Sequence, residues 1–136
     1  MNGRNPLKHI LYVDDEPDIR LVASMALGLD PSLHVDTADS GEQALALLPQ
    51  MRPDLVILDV MMPGLDGPTT LARMRADPAL RWIPVVFMTA KAMPEEQARY
   101  LQLGAAGVIP KPFDPMRLAS QVTDLWDRLP CEDGGR

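Results

Sequence analysis

The residues of this chain that could do chemistry together are three aspartates, one threonine and one lysine. Each stands where a short apolar run of the sequence ends: Asp14 and Asp15 after the first run, Asp59 after the third, then Thr89 and Lys111 after the last two. Three carboxylates within about 5 Å of one another repel by roughly 3 kcal/mol per pair at an effective dielectric of 20. A divalent cation would relieve that repulsion, and oxygen ligands without His or Cys favour Mg²⁺.

With a cation in place, this set has the parts that a phosphoryl-accepting site needs. Lys111 and the cation would both face the developing negative charge, and the Thr89 hydroxyl can donate to a phosphoryl oxygen. Asp59 is the candidate nucleophile, because aspartate is a covalent carrier of phosphoryl groups. The sequence therefore predicts phosphoryl chemistry centred on Asp59.

These residues require a scaffold that brings strand ends together, and the chain alternates short apolar runs with amphipathic segments. Five strands alternating with five helices predict an α/β fold, a flavodoxin-like doubly wound parallel sheet with strand order 2-1-3-4-5. In that order, a site forms where strands 1 and 3 end. The predicted strands are 9–13, 34–38, 55–58, 84–88 and 107–110, and the predicted helices are 17–29, 41–50, 68–76, 94–104 and 114–129.

Local signals support these helices. Ser40 followed by Gln43 is a capping box, Asp66 is predicted to cap the third helix, and Asp114-Pro115 is predicted to cap and start the last one. The first helix has a predicted core stripe, which leaves Leu21 and Met25 off the buried face. The stripe consists of Ile19, Val22, Ala23 and Ala26.

Length and composition limit the class of protein. A chain of 136 residues is expected to be one domain, 1–136, with a core over about 9–129 and short polar tails. A net charge of −6 gives no electrostatic footprint for nucleic acid or an anionic membrane surface, so we expect a protein partner, with the chain a monomer or weak dimer. The one cysteine, Cys131, is expected to be a free thiol, and without a signal-peptide or membrane-spanning run we expect a cytoplasmic protein.

Taken together, these motifs resemble those of response-regulator receiver domains of two-component signalling. The resemblance covers His9 to about Leu129, and its motifs are specific as a set because they occur in order at the predicted strand ends. The matching residues are Asp14-Asp15, Asp59 within Leu-Asp-Val-Met-Met-Pro-Gly-Leu-Asp-Gly, Thr89-Ala90, and Lys111-Pro112-Phe113.

The resemblance implies roles for these positions. Asp15 would ligate Mg²⁺ directly and Asp14 largely through water, with Asp59 and the Met61 backbone carbonyl completing the protein ligands. The Lys111–Pro112 bond would be cis. The phosphoryl donor would be a histidine kinase or phosphotransfer protein, and the signal would pass to a downstream protein target.

The chain departs from the family pattern at Val108, where receivers often carry Tyr or Phe three residues before the lysine. Relay of the signal through that aromatic side chain is therefore not expected. Pro110 is unusual within a strand but tolerable if the fifth strand is an edge.

Three alternatives differ in class. A pseudo-receiver that only binds partners is disfavoured because the whole acidic and basic set is present, and a magnesium-dependent phosphohydrolase because Met61 stands where a second aspartate would act as acid and base. A flavin module is disfavoured because the acidic first loop would repel phosphate. His9 and His34 are not spaced like metal ligands, which favours packing or surface roles for them.

Overall fold

The computed structural model describes residues 5–129, so Cys131 lies outside the described residues. Five strands alternate with five helices, which confirms the predicted α/β class. The elements are β1 His9–Val13, α1 Pro17–Leu27, β2 His34–Ala38, α2 Gly41–Met51, β3 Leu55–Asp59, α3 Gly67–Ala76, β4 Val85–Thr89, α4 Pro94–Gln102, β5 Gly107–Pro110 and α5 Leu118–Arg128. No helix within residues 5–129 is both long and apolar enough to cross a membrane.

The sheet is parallel throughout and has the predicted order β2-β1-β3-β4-β5. β3 is central, and all five of its residues are buried: four consecutive apolar residues, as expected for a strand covered on both faces, followed by Asp59. β5 is an edge strand, which explains how Pro110 is accommodated opposite Thr89. Successive strands are therefore added in one direction from β1 to β2 and in the other from β3 to β5, so the winding direction switches between β1 and β3, whose carboxyl ends carry Asp14 and Asp59.

The core has two layers, one on each face of the sheet. On one face, side chains such as Leu11, Val56 and Phe87 pack against α2, α3 and α4. On the other face, side chains such as Ile10 and Ile57 pack against α1 and α5. Because both faces are covered, the functional groups can reach solvent only at the ends of the strands.

Two predicted helix caps are confirmed. Ser40 Oγ accepts a hydrogen bond of 3.0 Å from the Gln43 N–H, and Asp66 Oδ1 accepts one of 2.8 Å from the Thr69 N–H. The Gln43 side chain reaches back to the Asp39 N–H, at 2.6 Å, and so binds the residue before the cap.

The predicted start of the last helix is wrong, because α5 begins at Leu118. Asp114 Oδ1 accepts from the Met116 N–H and its carbonyl accepts from the Arg117 N–H, both at 3.0 Å. Asp114-Pro115 therefore starts a separate turn over residues 115–117, in which the aspartate satisfies the local N–H groups, and α5 follows directly after it.

The predicted core stripe of α1 is wrong at Val22, which is 41% exposed. Ala23, Ala26 and Leu27 form the buried face. Val22 instead turns towards the loop after β5, where it lines a groove with Phe113.

Candidate functional site

The site is organised around Asp59, the last residue of the buried central strand β3. Its side chain is only 6% exposed. The following loop returns against this strand, because the Gly67 N–H donates a 2.9 Å hydrogen bond to the Val60 carbonyl. A Cβ at Gly67 would lie 2.6 Å from the Asp59 carbonyl oxygen, so only glycine permits this close approach.

Three aspartates converge at this edge of the sheet, as the sequence predicts. One carboxylate oxygen from each of Asp14, Asp15 and Asp59 lies within 4.8 Å of the others. Asp14 is fully buried and Asp15 is half-buried. The cluster therefore has a buried floor and one carboxylate at its opening.

Lys111 follows the edge strand β5, and its side chain reaches the cluster at the same end of the sheet. Its Nζ lies 3.2 Å from Asp14 Oδ2 and 3.2 Å from Asp59 Oδ2. The Lys111–Pro112 bond is cis, as the resemblance implies. One ammonium group thus bridges the two buried carboxylates.

Asp14 is held in place by several further donors. The Tyr12 hydroxyl donates to Oδ2 at 3.1 Å and the Glu16 N–H donates to Oδ1 at 3.0 Å. Arg20 Nη1 donates to the Asp14 carbonyl at 2.8 Å, which ties the strand end to α1. Tyr12 was not predicted as a site residue, although residues two apart on a strand share a face and that alternation could have found it.

The local electrostatics follow from burial and charge. Burial raises the pKa of Asp59 from 3.8 to about 6; Lys111 opposes this increase and the charge of Asp14 adds to it. Burial alone would lower the pKa of Lys111, but the charges of Asp14 and Asp59 outweigh it and raise that pKa. Burial and the adjacent Asp14 carboxylate raise the pKa of Tyr12 well above its usual range, so Tyr12 stays a neutral donor.

The other two predicted residues lie beside the cluster. Thr89 is buried at the end of β4, and its hydroxyl accepts from the Lys91 N–H at 2.9 Å. The Met61 N–H donates to the Asp59 carboxylate, while the Met61 side chain is 72% exposed. The predicted contacts of Thr89 with a phosphoryl group and of the Met61 carbonyl with a metal stay predictions.

The donor set fits a hard divalent cation. The converging groups are three carboxylates, and within residues 5–129 neither His nor Cys takes part in this cluster. Two of the carboxylates are buried and share the ammonium group of Lys111, which leaves excess negative charge for a cation to neutralise. Asp14, Asp15 and Asp59 are the residues that could hold it.

An apolar groove of about 310 Å³ opens beside the cluster, between α1 and the loop after β5. Lys111 belongs both to its lining and to the acidic cluster, so the groove adjoins the site. Its apolar lining includes Ile19, Val22, Phe113 and Pro115.

Residues 10–123 match the sequence profile of the response regulator receiver domain. The chain is 37% identical over 119 residues to response regulator Rre1 of Synechocystis, covering 88% of this chain and 52% of that protein. It is 38% identical over 117 residues to response regulator PleD of Caulobacter vibrioides, covering 85% of this chain and 25% of that one. Among solved structures, the chemotaxis protein CheY4 of Vibrio cholerae superposes with a TM-score of 0.79 at 31% identity, covering 88% of this chain and 98% of CheY4.

The chain therefore belongs to the family of response regulator receiver domains, a family of signalling proteins rather than of classical enzymes. It spans about half of the Synechocystis relative and a quarter of PleD.

Proposed function

We propose that the chain is a phosphoacceptor receiver that takes a phosphoryl group onto Asp59 from a histidine kinase or phosphotransfer protein. The observation that carries the proposal is the position of Lys111 Nζ, 3.2 Å from both Asp59 Oδ2 and Asp14 Oδ2. A positively charged ammonium group held beside the acceptor carboxylate stabilises the negative charge that develops on a transferring phosphoryl group. Acceptor, counter-charge and acidic pocket thus occur together at one solvent-facing edge.

In the transfer step, a carboxylate oxygen of Asp59 attacks phosphorus as the bond from phosphorus to the donor's imidazole nitrogen breaks. The electron pair of that bond stays on the departing nitrogen. Lys111 stabilises the equatorial phosphoryl oxygens, and Thr89 would supply a hydroxyl donor after turning away from the Lys91 backbone. Mg²⁺ held by Asp14, Asp15, Asp59 and the Met61 carbonyl would neutralise charge in this step.

The phosphodonor must approach across the rim that surrounds Asp59. That rim continues into the apolar groove beside α1, and Leu21 and Met25 of α1 are 60% and 65% exposed. A phosphohistidine carried on a helix of the donor can reach Asp59 while neighbouring apolar residues of that helix cover this surface. We therefore assign kinase docking to α1 and the groove.

We also propose that the signal passes by phosphorylation-dependent contact with a downstream protein. Because position 108 carries valine, no aromatic side chain at that position would relay the signal. That side chain is partly buried against the core. A pseudo-receiver would share the fold and the groove but would accept no phosphate.

Phosphotransfer profiling tests this function. The chain is incubated with each radiolabelled histidine kinase and phosphotransfer protein of its host, in parallel with the Asp59→Asn variant and with Asp39→Asn as a matched control. Asp39 is an exposed carboxylate directly after β2. Rapid labelling of wild type and Asp39→Asn by one donor, with none of Asp59→Asn, is expected. Absence of labelling by every donor would favour the pseudo-receiver.

A further inference from the structure

A second group of potential metal ligands lies at the opposite, amino-terminal edge of the sheet. His9 is the first residue of β1 and His34 the first residue of β2, and the parallel register pairs them directly. Asp36 stands two residues along β2, so its side chain lies on the same face as that of His34. Spacing along the chain favoured packing or surface roles for these histidines, and that reasoning left out the pairing of the strands, which places the two residues side by side.

The three side chains meet at one atom. His9 Nε2 lies 2.8 Å and His34 Nε2 lies 3.1 Å from the same oxygen, Oδ2 of Asp36. The two imidazole rings are 4.9 Å apart, and potential ligand atoms of all three residues lie within 4.8 Å of one another. An ion with bonds of about 2.0–2.1 Å holds neighbouring ligands roughly 3 Å apart. The group therefore already has the spacing of ligands around one small ion.

The backbone beneath the group is fixed by hydrogen bonds. Asp54 Oδ2 accepts from the Lys8 N–H and the His9 N–H, both at 3.0 Å, and the His34 N–H donates to the Lys8 carbonyl at 2.7 Å. The bond from His34 joins the start of β2 to β1, and the two bonds to Asp54 join the start of β1 to the residue before β3. An ion bound here would find its ligands on two strands that are already in register.

The burial of the group leaves room for solvent ligands. The His9 side chain is 24% exposed, that of Asp36 is 40% exposed and that of His34 is 70% exposed. One ligand is thus anchored in the protein, and the other two face an open edge where water can complete the coordination. Three protein ligands with open positions are typical of accessible zinc sites.

We propose that His9, His34 and Asp36 bind one divalent first-row transition-metal ion, such as Zn²⁺. Imidazole nitrogen selects Zn²⁺, Ni²⁺ and Cu²⁺ over Mg²⁺, so this site and the all-carboxylate pocket around Asp59 bind different classes of ion. The five residue steps from His9 to Asp14 separate the two sites by roughly 16 Å along the strand. The ion would join the edge strand β2 to β1.

Zinc titration in the presence of excess Mg²⁺ tests the proposal, with binding measured by equilibrium dialysis and by thermal denaturation. His34→Gln and Asp36→Asn each remove one ligand, from side chains that are 70% and 40% exposed. Asp59→Asn is the matched control, since it alters the acidic pocket alone. Wild type and Asp59→Asn should bind one equivalent of Zn²⁺ and gain thermal stability from it. Each ligand variant should bind at least about tenfold more weakly.

Three results would overturn the proposal: no zinc binding by wild type, undiminished binding by His34→Gln and Asp36→Asn, or loss of binding in Asp59→Asn. The last result would place the zinc in the acidic pocket. Imidazole ¹⁵N chemical shifts of wild type give a second readout. Zn²⁺ should shift the Nε2 resonances of both His9 and His34, and a shift of neither would contradict direct ligation.

Discussion

Lys111 Nζ lies 3.2 Å from Asp59 Oδ2, although the two residues come from strands that are not neighbours in the sheet. β4 separates β3 from β5, so the lysine must reach across the end of β4 to meet the aspartate. It meets Asp14 at the same distance. The ammonium group is therefore the counter-charge for both buried carboxylates when no other cation is bound.

We predict that Lys111→Met strengthens Mg²⁺ binding and lowers the thermal stability of the metal-free protein. Removal of the lysine charge should lower the Mg²⁺ dissociation constant at least about tenfold, because even at the dielectric of water a unit charge and a divalent ion about 5 Å apart repel by roughly 1.7 kcal/mol. It also leaves two buried carboxylates without their partner, so the melting temperature in EDTA should fall. Calorimetric Mg²⁺ titration measures the first effect, with Lys8→Met at the opposite edge as control. Weaker Mg²⁺ binding by Lys111→Met would show that the lysine supports the ion and does not compete with it.

We predict that Asp59→Asn stabilises the metal-free protein at neutral pH. The raised pKa of about 6 means that the folded protein favours the protonated carboxyl. The stability this carboxyl contributes is present below its unfolded pKa near 4 and is lost as pH rises through 6. At pH 7 the substitution should therefore raise the free energy of unfolding by up to about 3 kcal/mol, and the gain should vanish near pH 4.

Thermal denaturation in EDTA at a series of pH values measures this effect, with Asp39→Asn as control. Mg²⁺ should then stabilise wild type more than the variant, since it restores a partner to the charged carboxylate. Equal melting temperatures of wild type and Asp59→Asn at pH 7 in EDTA would show that the buried charge of Asp59 does not destabilise the protein, which would contradict the prediction.

We predict that Leu21→Glu slows phosphotransfer from the cognate kinase about tenfold or more, as loss of an interface anchor commonly does. Labelling by acetyl phosphate should be unchanged, because a small donor needs no docking surface. Leu101→Glu is the matched control, since Leu101 is 50% exposed on α4, which packs on the opposite face of the sheet. Equal losses with both donors would instead indicate damage to the site itself.

We predict that the acyl phosphate on Asp59 hydrolyses slowly, over minutes to hours. By the family pattern, the side chains of Met61 and Lys91 border the path of the attacking water. Methionine offers no strong hydrogen bond to orient that water, and a charged lysine cannot act as a base. Met61→Asn combined with Lys91→Glu should shorten the lifetime measured by loss of the phosphoryl adduct. A wild-type lifetime of seconds without a phosphatase would refute the argument that these two side chains cannot activate the water.

The strands and their order could be predicted from the sequence because each apolar run is short and bounded by Pro, Gly or Asp. The run from Leu55 is the clearest case, since four consecutive apolar residues fit a strand buried on both faces. Strand order then placed Asp14, Asp59 and Lys111 at one edge. Both the topology and the clustering of the carboxylates follow from this pattern.

The errors arise where one local signal fits two structures. Asp114-Pro115 fits both a helix start and an isolated turn, and the choice depends on contacts made by the following residues. Val22 fits the helical stripe, but the loop that carries Phe113 decides which side chains of α1 are covered. The proximity of His9 to His34 depends on the register of β1 against β2. The sequence contained a signal for it, because each histidine begins one of two strands that were predicted to be neighbours.

Intact-mass measurement after treatment with acetyl phosphate and Mg²⁺ tests the central claim, that Asp59 is the sole phosphoacceptor. Wild type and Asp39→Asn should each gain one phosphoryl group, and the gain should disappear in Asp59→Asn and when EDTA replaces Mg²⁺. Persistence of the adduct in Asp59→Asn would contradict the claim, and so would the absence of any adduct in wild type.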